Sequence, residues 1–341
     1  MRAGFIEEPG KAYFKEVPEP QIEKSTDVKI KVVVTGICGS EVHAYHGKHA
    51  WRVPPLVSGH EFAGIVVEVG SDVTSVKVGD RVTAEPQYGC GDCPQCRIGR
   101  YNICKNKKIL GATYWSGSFG EYVVVPEKTV VHLGDDVSFE EGALIEPIAV
   151  GMHAVRERDV SIGQNILIIG AGTIGLGVYL SAKICNPSKI IVADVVDYNL
   201  EMARELGCEY TINSMKEDLE AEVKKLTNGE GVDITFLAFG NAPVVESASK
   251  CTKEGGVISE IAVIPNGTGC PYNMIQVKQQ SLTGSNMYVR KDYEVVVENM
   301  AKGRIDSKKM VSKIYPIEEF TAAMEMADKR TEPVVKVMLK F

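Results

Sequence analysis

The sequence predicts an α/β fold in two parts, a β-rich and partly barrel-like unit joined to a doubly wound parallel sheet. Three observations carry this. A length of 341 residues, at roughly 150 residues per domain, gives about two domains. The first 135 residues break into short apolar alternations punctuated by Gly, Pro and Asp, the pattern of short strands. From about Ile166 the pattern changes to alternating β and α segments, which builds a parallel sheet with helices on its faces.

In the first part, strands are expected at residues 28–35, 64–69, 78–83 and 121–125. Ser138 followed by Glu141 resembles a capping box, and the apolar spacing after it fits a helix running through Glu146 toward His153 and into the second part. There the expected order is strand 166–169, helix 173–185, strand 189–194 and helix 199–206, with further strands at 232–237 and 257–263 and helices between them. After about residue 287 come two amphipathic helices and a last strand, 334–339, with no second Gly-rich turn. This tail is expected to rejoin the first part. The resulting division is 1–150 with 287–341, including a cysteine lobe at 86–106, against 151–286.

With 44% hydrophobic and 24% charged residues, the composition excludes a disordered or fibrous chain. The formal charge of −7, from 38 basic and 45 acidic side chains without basic runs, argues against a nucleic-acid partner. Glu7 and Glu8 precede any useful apolar stretch, so a secretory signal is not expected and a cytoplasmic location is. The longest uncharged run, 161–182, carries Gln164, Asn165 and five glycines, which suits a strand, turn and helix better than a membrane span. Nine cysteines, four of them between Cys90 and Cys104, point to metal binding before a disulfide framework.

The run Ile166-Leu-Ile-Ile-Gly170-Ala-Gly172-Thr173-Ile174-Gly175 is a buried-strand sequence entering G-x-G-x-x-G and then a helical pattern. Gly170 allows the tight turn, Gly172 lets backbone approach a pyrophosphate, and Gly175 permits close helix packing. The N–H groups around Thr173 and Ile174 at the helix start favour negative charge. Asp194 ends the next expected strand, 19 residues beyond Gly175, where a carboxylate accepts ribose hydroxyls. It would repel a 2′-phosphate, and Val195, Val196 and Asp197 offer no arginine to bind one, so NAD is favoured over NADP. The alternative is a glycine-rich turn without a nucleotide.

Cys90-x2-Cys93-x2-Cys96-x7-Cys104 places four thiolates within fifteen residues of loop-like sequence. Four sulfurs close a tetrahedron around zinc and leave no position for substrate, so this site is structural. A second set is dispersed: Cys38 in Gly36-Ile-Cys-Gly-Ser40, Gly59-His60-Glu61, and Glu146 in Ile145-Glu-Pro147. Each alone is also what a core thiol, a satisfied histidine or a surface acid looks like.

Taken in order, GICGS, GHE, the four-cysteine lobe, VGDRV at 78–82, ALIEP and GAGTIG make the chain resemble the zinc-containing medium-chain dehydrogenase/reductase superfamily over essentially its full length. Gly142-Ala-Leu-Ile-Glu-Pro147 with Gly151-Met-His153 is most similar to the polyol branch around sorbitol dehydrogenase, with threonine and butanediol dehydrogenases as near relatives. The resemblance implies a GroES-like barrel formed by both chain ends, a Rossmann domain inserted between them, and an active site in the cleft. It implies that Cys38 and His60 bind a catalytic zinc. Glu61 would bind that metal or stand beside it, and Glu146, at the place where liver-type alcohol dehydrogenases carry a second cysteine, would bind directly or through water. A carboxylate in that place makes the site harder and more oxygen-rich, suited to a diol and compatible with cobalt or manganese as well as zinc. Ser40 matches the family hydroxyl that passes the alcohol proton onward, and His43 the residue that completes the relay to solvent; a capping hydroxyl and a helix-surface histidine are the alternatives. A homo-oligomer, tetramer or dimer, is also implied.

One stretch departs from the family. Sorbitol dehydrogenases carry an arginine in a GS-x-R-Y context, where this chain has Gly284-Ser-Asn-Met287-Tyr288, removing a charge and five donors. The loop His46-Gly-Lys48-His49-Ala-Trp51-Arg52 is basic and aromatic, and Lys48 or Arg52 is a candidate to bind an anionic group on the substrate, against the alternative of a solvated loop. The expected activity is hydride transfer between NAD and a secondary alcohol of a polyol, sugar alcohol or anionic derivative. An amino-alcohol or butanediol-type dehydrogenase, and a non-catalytic NAD-binding redox sensor, are the alternatives.

Overall fold

A computed structural model describes every residue except 265 and 266. Its contacts separate two compact units, one of residues 1–146, 289–303 and 310–341, the other of 147–288 and 304–309.

In the first unit a seven-stranded sheet runs in the order Val311–Pro316, Lys336–Lys340, Asp27–Gly36, Glu61–Val69, Arg81–Ala84, Val130–His132, with Tyr122–Pro126 also paired to Asp27–Gly36. Asp27–Gly36 is its organising strand. It is ten residues long, rich in β-branched side chains and almost wholly buried, as suits a central strand. Val28, Ile30, Phe62, Val82, Leu110 and Val123 pack one core of this unit; Ile6, Ala44, Phe119, Phe320 and Leu339 pack another. The hydroxyl of the buried Tyr293 is satisfied by Thr83 Oγ1 at 3.0 Å and the Ala84 carbonyl at 3.2 Å. The expected strand 78–83 starts late, at Arg81, because Gly79 has a positive φ of 94° and the Asp80 N–H bonds back to the Lys77 carbonyl, closing a turn. The amino-terminal hairpin Arg2–Glu8 with Lys11–Glu16, and the strand Val311–Pro316, were not anticipated.

The second unit is a six-stranded, all-parallel sheet ordered Tyr210–Asn213, Lys189–Asp194, Asn165–Ile169, Val232–Leu237, Thr252–Glu260, Ser281–Gly284. In chain order this is 3-2-1-4-5-6, the doubly wound arrangement whose switch point lies beside the first strand. Leu167, Ile169, Ile191, Val223, Leu237 and Ile258 form its core. The strand expected at 257–263 begins at Thr252 and stops at Glu260.

Helix Phe139–Glu157 starts as expected: Glu141 N–H donates to Ser138 Oγ at 3.2 Å, and Ser138 N–H donates to Glu141 Oε2 at 3.1 Å. No described helix is long and apolar enough to cross a membrane.

Candidate active site and metal centres

Sheet register brings the dispersed residues together. Gly36, ending one strand, pairs with Glu61, starting its antiparallel neighbour, so Cys38 just after the first strand and His60 just before the second emerge side by side. A Cβ on Gly36 would lie 2.2 Å from Glu61 Oε2, so a larger residue there would displace that carboxylate. Cys38 caps the short helix Gly39–Tyr45. Glu146 arrives from helix Phe139–Glu157, just ahead of Pro147, whose missing N–H interrupts the helical ladder.

Ligand atoms of Cys38, Glu41 and His60 lie within 4.8 Å of one another, as do those of His60, Glu61 and Glu146. His60 Nδ1 is 2.8 Å from Glu41 Oε1, which leaves Nε2 facing Glu146 Oε1 at 3.9 Å. That gap exceeds a hydrogen bond and is near the separation, about 3.4 Å, of two ligands on one tetrahedral ion. One thiolate, one imidazole nitrogen and a carboxylate are the donor types zinc accepts, so the residues fit a metal.

Glu41 was not anticipated. It is wholly buried and receives His60 on Oε1, the Ser58 hydroxyl on Oε1 at 3.1 Å and the Cys38 N–H on Oε2 at 3.1 Å. Burial alone would raise its pKa, but the charges of His60 and Arg52 outweigh this and hold the carboxyl well below the usual range. An available signal was its place three residues after Cys38, the position of a capping-box acid at a helix start.

Both Glu61 oxygens accept from the buried Lys336 ammonium, at 2.9 and 2.7 Å, and Lys336 also donates to the Ile37 carbonyl at 3.2 Å. The Glu61 charge is therefore matched by a buried cation. Ser40 Oγ lies 3.5 Å from Glu41 Oε2, and His43 is exposed on the same helix.

The two basic candidates of the loop differ in placement. Arg52 is buried and directed inward, forming an ion pair with Glu41 and donating to the Leu110 carbonyl, with His60 and His49 beside it, while its Nε has no hydrogen-bond partner. Lys48 is exposed. Met287 adopts a left-handed φ of 53°.

The four-cysteine lobe gathers as its spacing suggests. The sulfurs of Cys90, Cys93, Cys96 and Cys104 lie within 4.8 Å of one another, and Cys90 and Cys96 are 3.9 Å apart, against about 3.8 Å for two thiolates on tetrahedral zinc. Cys93 caps the turn Pro94–Arg97 and accepts the Cys96 N–H. The remaining thiols, Cys185, Cys208, Cys251 and Cys270, are free and buried or half-buried.

In the second unit the glycine turn fits a dinucleotide. A Cβ on Gly175 would sit 1.7 Å from the Gly170 carbonyl oxygen, whereas one on Gly172 would meet nothing within 4 Å, so one glycine serves packing and the other leaves open space at the helix start. Gly170 takes φ of 100°. Thr173 and Ile174 form the first helical turn. Asp194 accepts from the Ala171 N–H at 2.6 Å and the Val196 N–H at 2.8 Å, which sets its carboxylate beside that turn.

Comparison with known proteins matches residues 24–135 to the alcohol dehydrogenase GroES-like domain and residues 173–302 to the zinc-binding dehydrogenase domain. The chain is 35% identical over 344 residues to sorbitol dehydrogenase of Bacillus subtilis, covering 99% of this chain and 97% of the relative. It is 34% identical over 334 residues to D-arabitol-phosphate dehydrogenase of Enterococcus avium, covering 95% and 92%. Among solved structures, an oxidoreductase/dehydrogenase of unknown specificity from Escherichia coli superposes with a TM-score of 0.94 at 34% identity, over 99% of this chain and 98% of that one.

Proposed function

The chain belongs to the zinc-binding dehydrogenases that carry an alcohol dehydrogenase GroES-like domain, and from that premise we propose that it oxidises a secondary alcohol of a polyol or sugar alcohol with NAD, the reverse reaction reducing the ketone. The placement of Cys38 and of Glu146 each within 4.8 Å of a ligand atom of His60 in the first unit carries the proposal.

Cys38, the Nε2 of His60 and Glu146 would hold the catalytic zinc, and the four cysteines a structural one. When bound, the catalytic zinc supplies a Lewis acid that polarises the substrate oxygen and eases loss of its proton. Glu41 fixes the tautomer and direction of His60 by holding Nδ1. Lys336 keeps the charge of Glu61 matched. Ser40 is the hydroxyl suited to take the alcohol proton, and His43, exposed on the same helix, the group that returns it to water. Gly170, Gly172, Thr173, Ile174 and Gly175 would hold the pyrophosphate of NAD, which supplies the hydride acceptor, and Asp194 would hold its ribose and disfavour a 2′-phosphate. A cytoplasmic homo-oligomer belongs to the same reading, supported by the family alone; size-exclusion chromatography with light scattering tests the assembly.

The test is NADH formation by the purified protein across neutral polyols, polyol phosphates, vicinal diols and threonine, each with NAD and NADP, before and after chelation. Chelator-sensitive turnover of a polyol with NAD is expected. Turnover of threonine alone would move the chain to amino-alcohol chemistry, and none with any alcohol would favour an NAD sensor.

A further inference from the structure

Arg52 is a buried cation that the metal ligands and the substrate reading leave unused. Its side chain is 4% exposed. Nε lies 3.1 Å from Glu41 Oε1, an ion pair without hydrogen-bond geometry, Nη2 lies 3.2 Å from His60 Nδ1 and donates to the Leu110 carbonyl at 3.4 Å, and Nη1 is 3.2 Å from His49 Nε2. The N–H groups of Trp51 and Arg52 both donate to His49 Nδ1, so the loop closes on the His49 ring beside the arginine.

Charge matching gives this placement a purpose. Around His60 the chain buries Glu41, Glu61 and Glu146 together with two cations from outside the ligand motifs, Lys336 and Arg52. Lys336 is matched to Glu61 and Arg52 to Glu41. Cys38, His60 and Glu146 are the residues read above as holding the divalent ion. His60 must be neutral to bind that ion, so Arg52 is the countercharge for a carboxylate that has no exposure, and a buried charge without one is costly. Glu41 also lies within 4.8 Å of the Cys38 and His60 ligand atoms, close enough to compete for the metal if released.

Resting on the metal reading above, we propose that Arg52 is a positioning residue for the catalytic metal: it pins Glu41 to His60 Nδ1, directs Nε2 to the ion and keeps Glu41 from ligating. It touches neither metal nor substrate.

The experiment compares wild type, Arg52→Met and Arg52→Lys as full chains loaded with zinc or cobalt(II). It measures metals bound per chain, the rate of loss to a chelator, the visible spectrum of the cobalt form and the melting temperature. In Arg52→Met, metal at the Cys38–His60 site is expected to leave roughly 10–100-fold faster, with an altered cobalt spectrum and unchanged retention on the four cysteines. Arg52→Lys keeps the charge without the planar fork and is expected to fall between. Wild-type release rate and cobalt spectrum in Arg52→Met overturn the proposal, and if that variant does not fold, the same result in Arg52→Lys does so. A wild-type chain that takes metal only on the four cysteines overturns the metal reading itself, so the wild-type count tells the two failures apart.

Discussion

The four-cysteine lobe and the Cys38–His60–Glu146 site lie in the same unit, yet they are assembled on opposite plans. The lobe draws all its sulfurs from residues 90–104 and leaves Cys90 exposed and Cys93 and Cys96 half-buried. The other site gathers residues 108 positions apart, from 38 to 146, through strand register and a helix start, and is surrounded by buried ion pairs. A local loop can be organised by its ion alone. A dispersed site has to be held by the fold, so its charged surroundings carry part of the function.

The sharpest way to break this comparison is to remove one ligand from each plan. His60→Ala is expected to lower kcat/KM for a polyol by roughly 10³-fold or more, since a Lewis acid is worth several kcal/mol to the transition state. Cys96→Ser should act first on melting temperature, with the Cys38 site still able to bind metal. Equal loss of activity at matched stability would erase the distinction.

Next in size are the buried pairs. Lys336→Met leaves Glu61 buried without its cation and is expected to cost about 3–5 kcal/mol in urea unfolding. A cost below about 1 kcal/mol would show that the surroundings of the dispersed site are interchangeable.

Glu85 sharpens the same contrast with a buried carboxyl that is not among the ligands. Burial pushes its carboxyl up to about 7, only partly offset by the Tyr101 hydroxyl that donates to it at 2.7 Å. Its folded pKa lies above the ordinary value, so the native state holds the proton longer and stability falls as pH rises from about 4.5 to about 7. Glu85→Gln should remove that contribution, on the order of 1–3 kcal/mol between pH 4.5 and 7, read from denaturant midpoints across pH. An unchanged slope would contradict it.

The smallest effect belongs to the second unit. Asp194→Ala is expected to raise KM for NAD about tenfold, as one or two hydrogen bonds to a charged group would, and to narrow the preference against NADP. Unchanged cofactor selectivity would place discrimination elsewhere.

What was legible in the sequence follows the same division. The lobe, the glycine turn and the strands 189–194 and 232–237 are local patterns, and they emerge where spacing and apolar runs put them. Glu41 left only its capping-box spacing after Cys38 as a local signal, whereas Lys336 and the inward turn of Arg52 depend on which segments lie beside one another, information that no single stretch contains. Arg52 in particular reads as a solvated or substrate-facing base until Glu41 is placed next to it. The strand Val311–Pro316 escaped because its residues are mostly half-buried or exposed, leaving a weak alternation.

The most direct measurement is a zinc-edge anomalous difference map from crystals of the protein. Two peaks per chain are predicted, one among the sulfurs of Cys90, Cys93, Cys96 and Cys104 and one within bonding distance of Cys38 Sγ and His60 Nε2. A peak in the lobe alone, in crystals of active protein, would contradict the account.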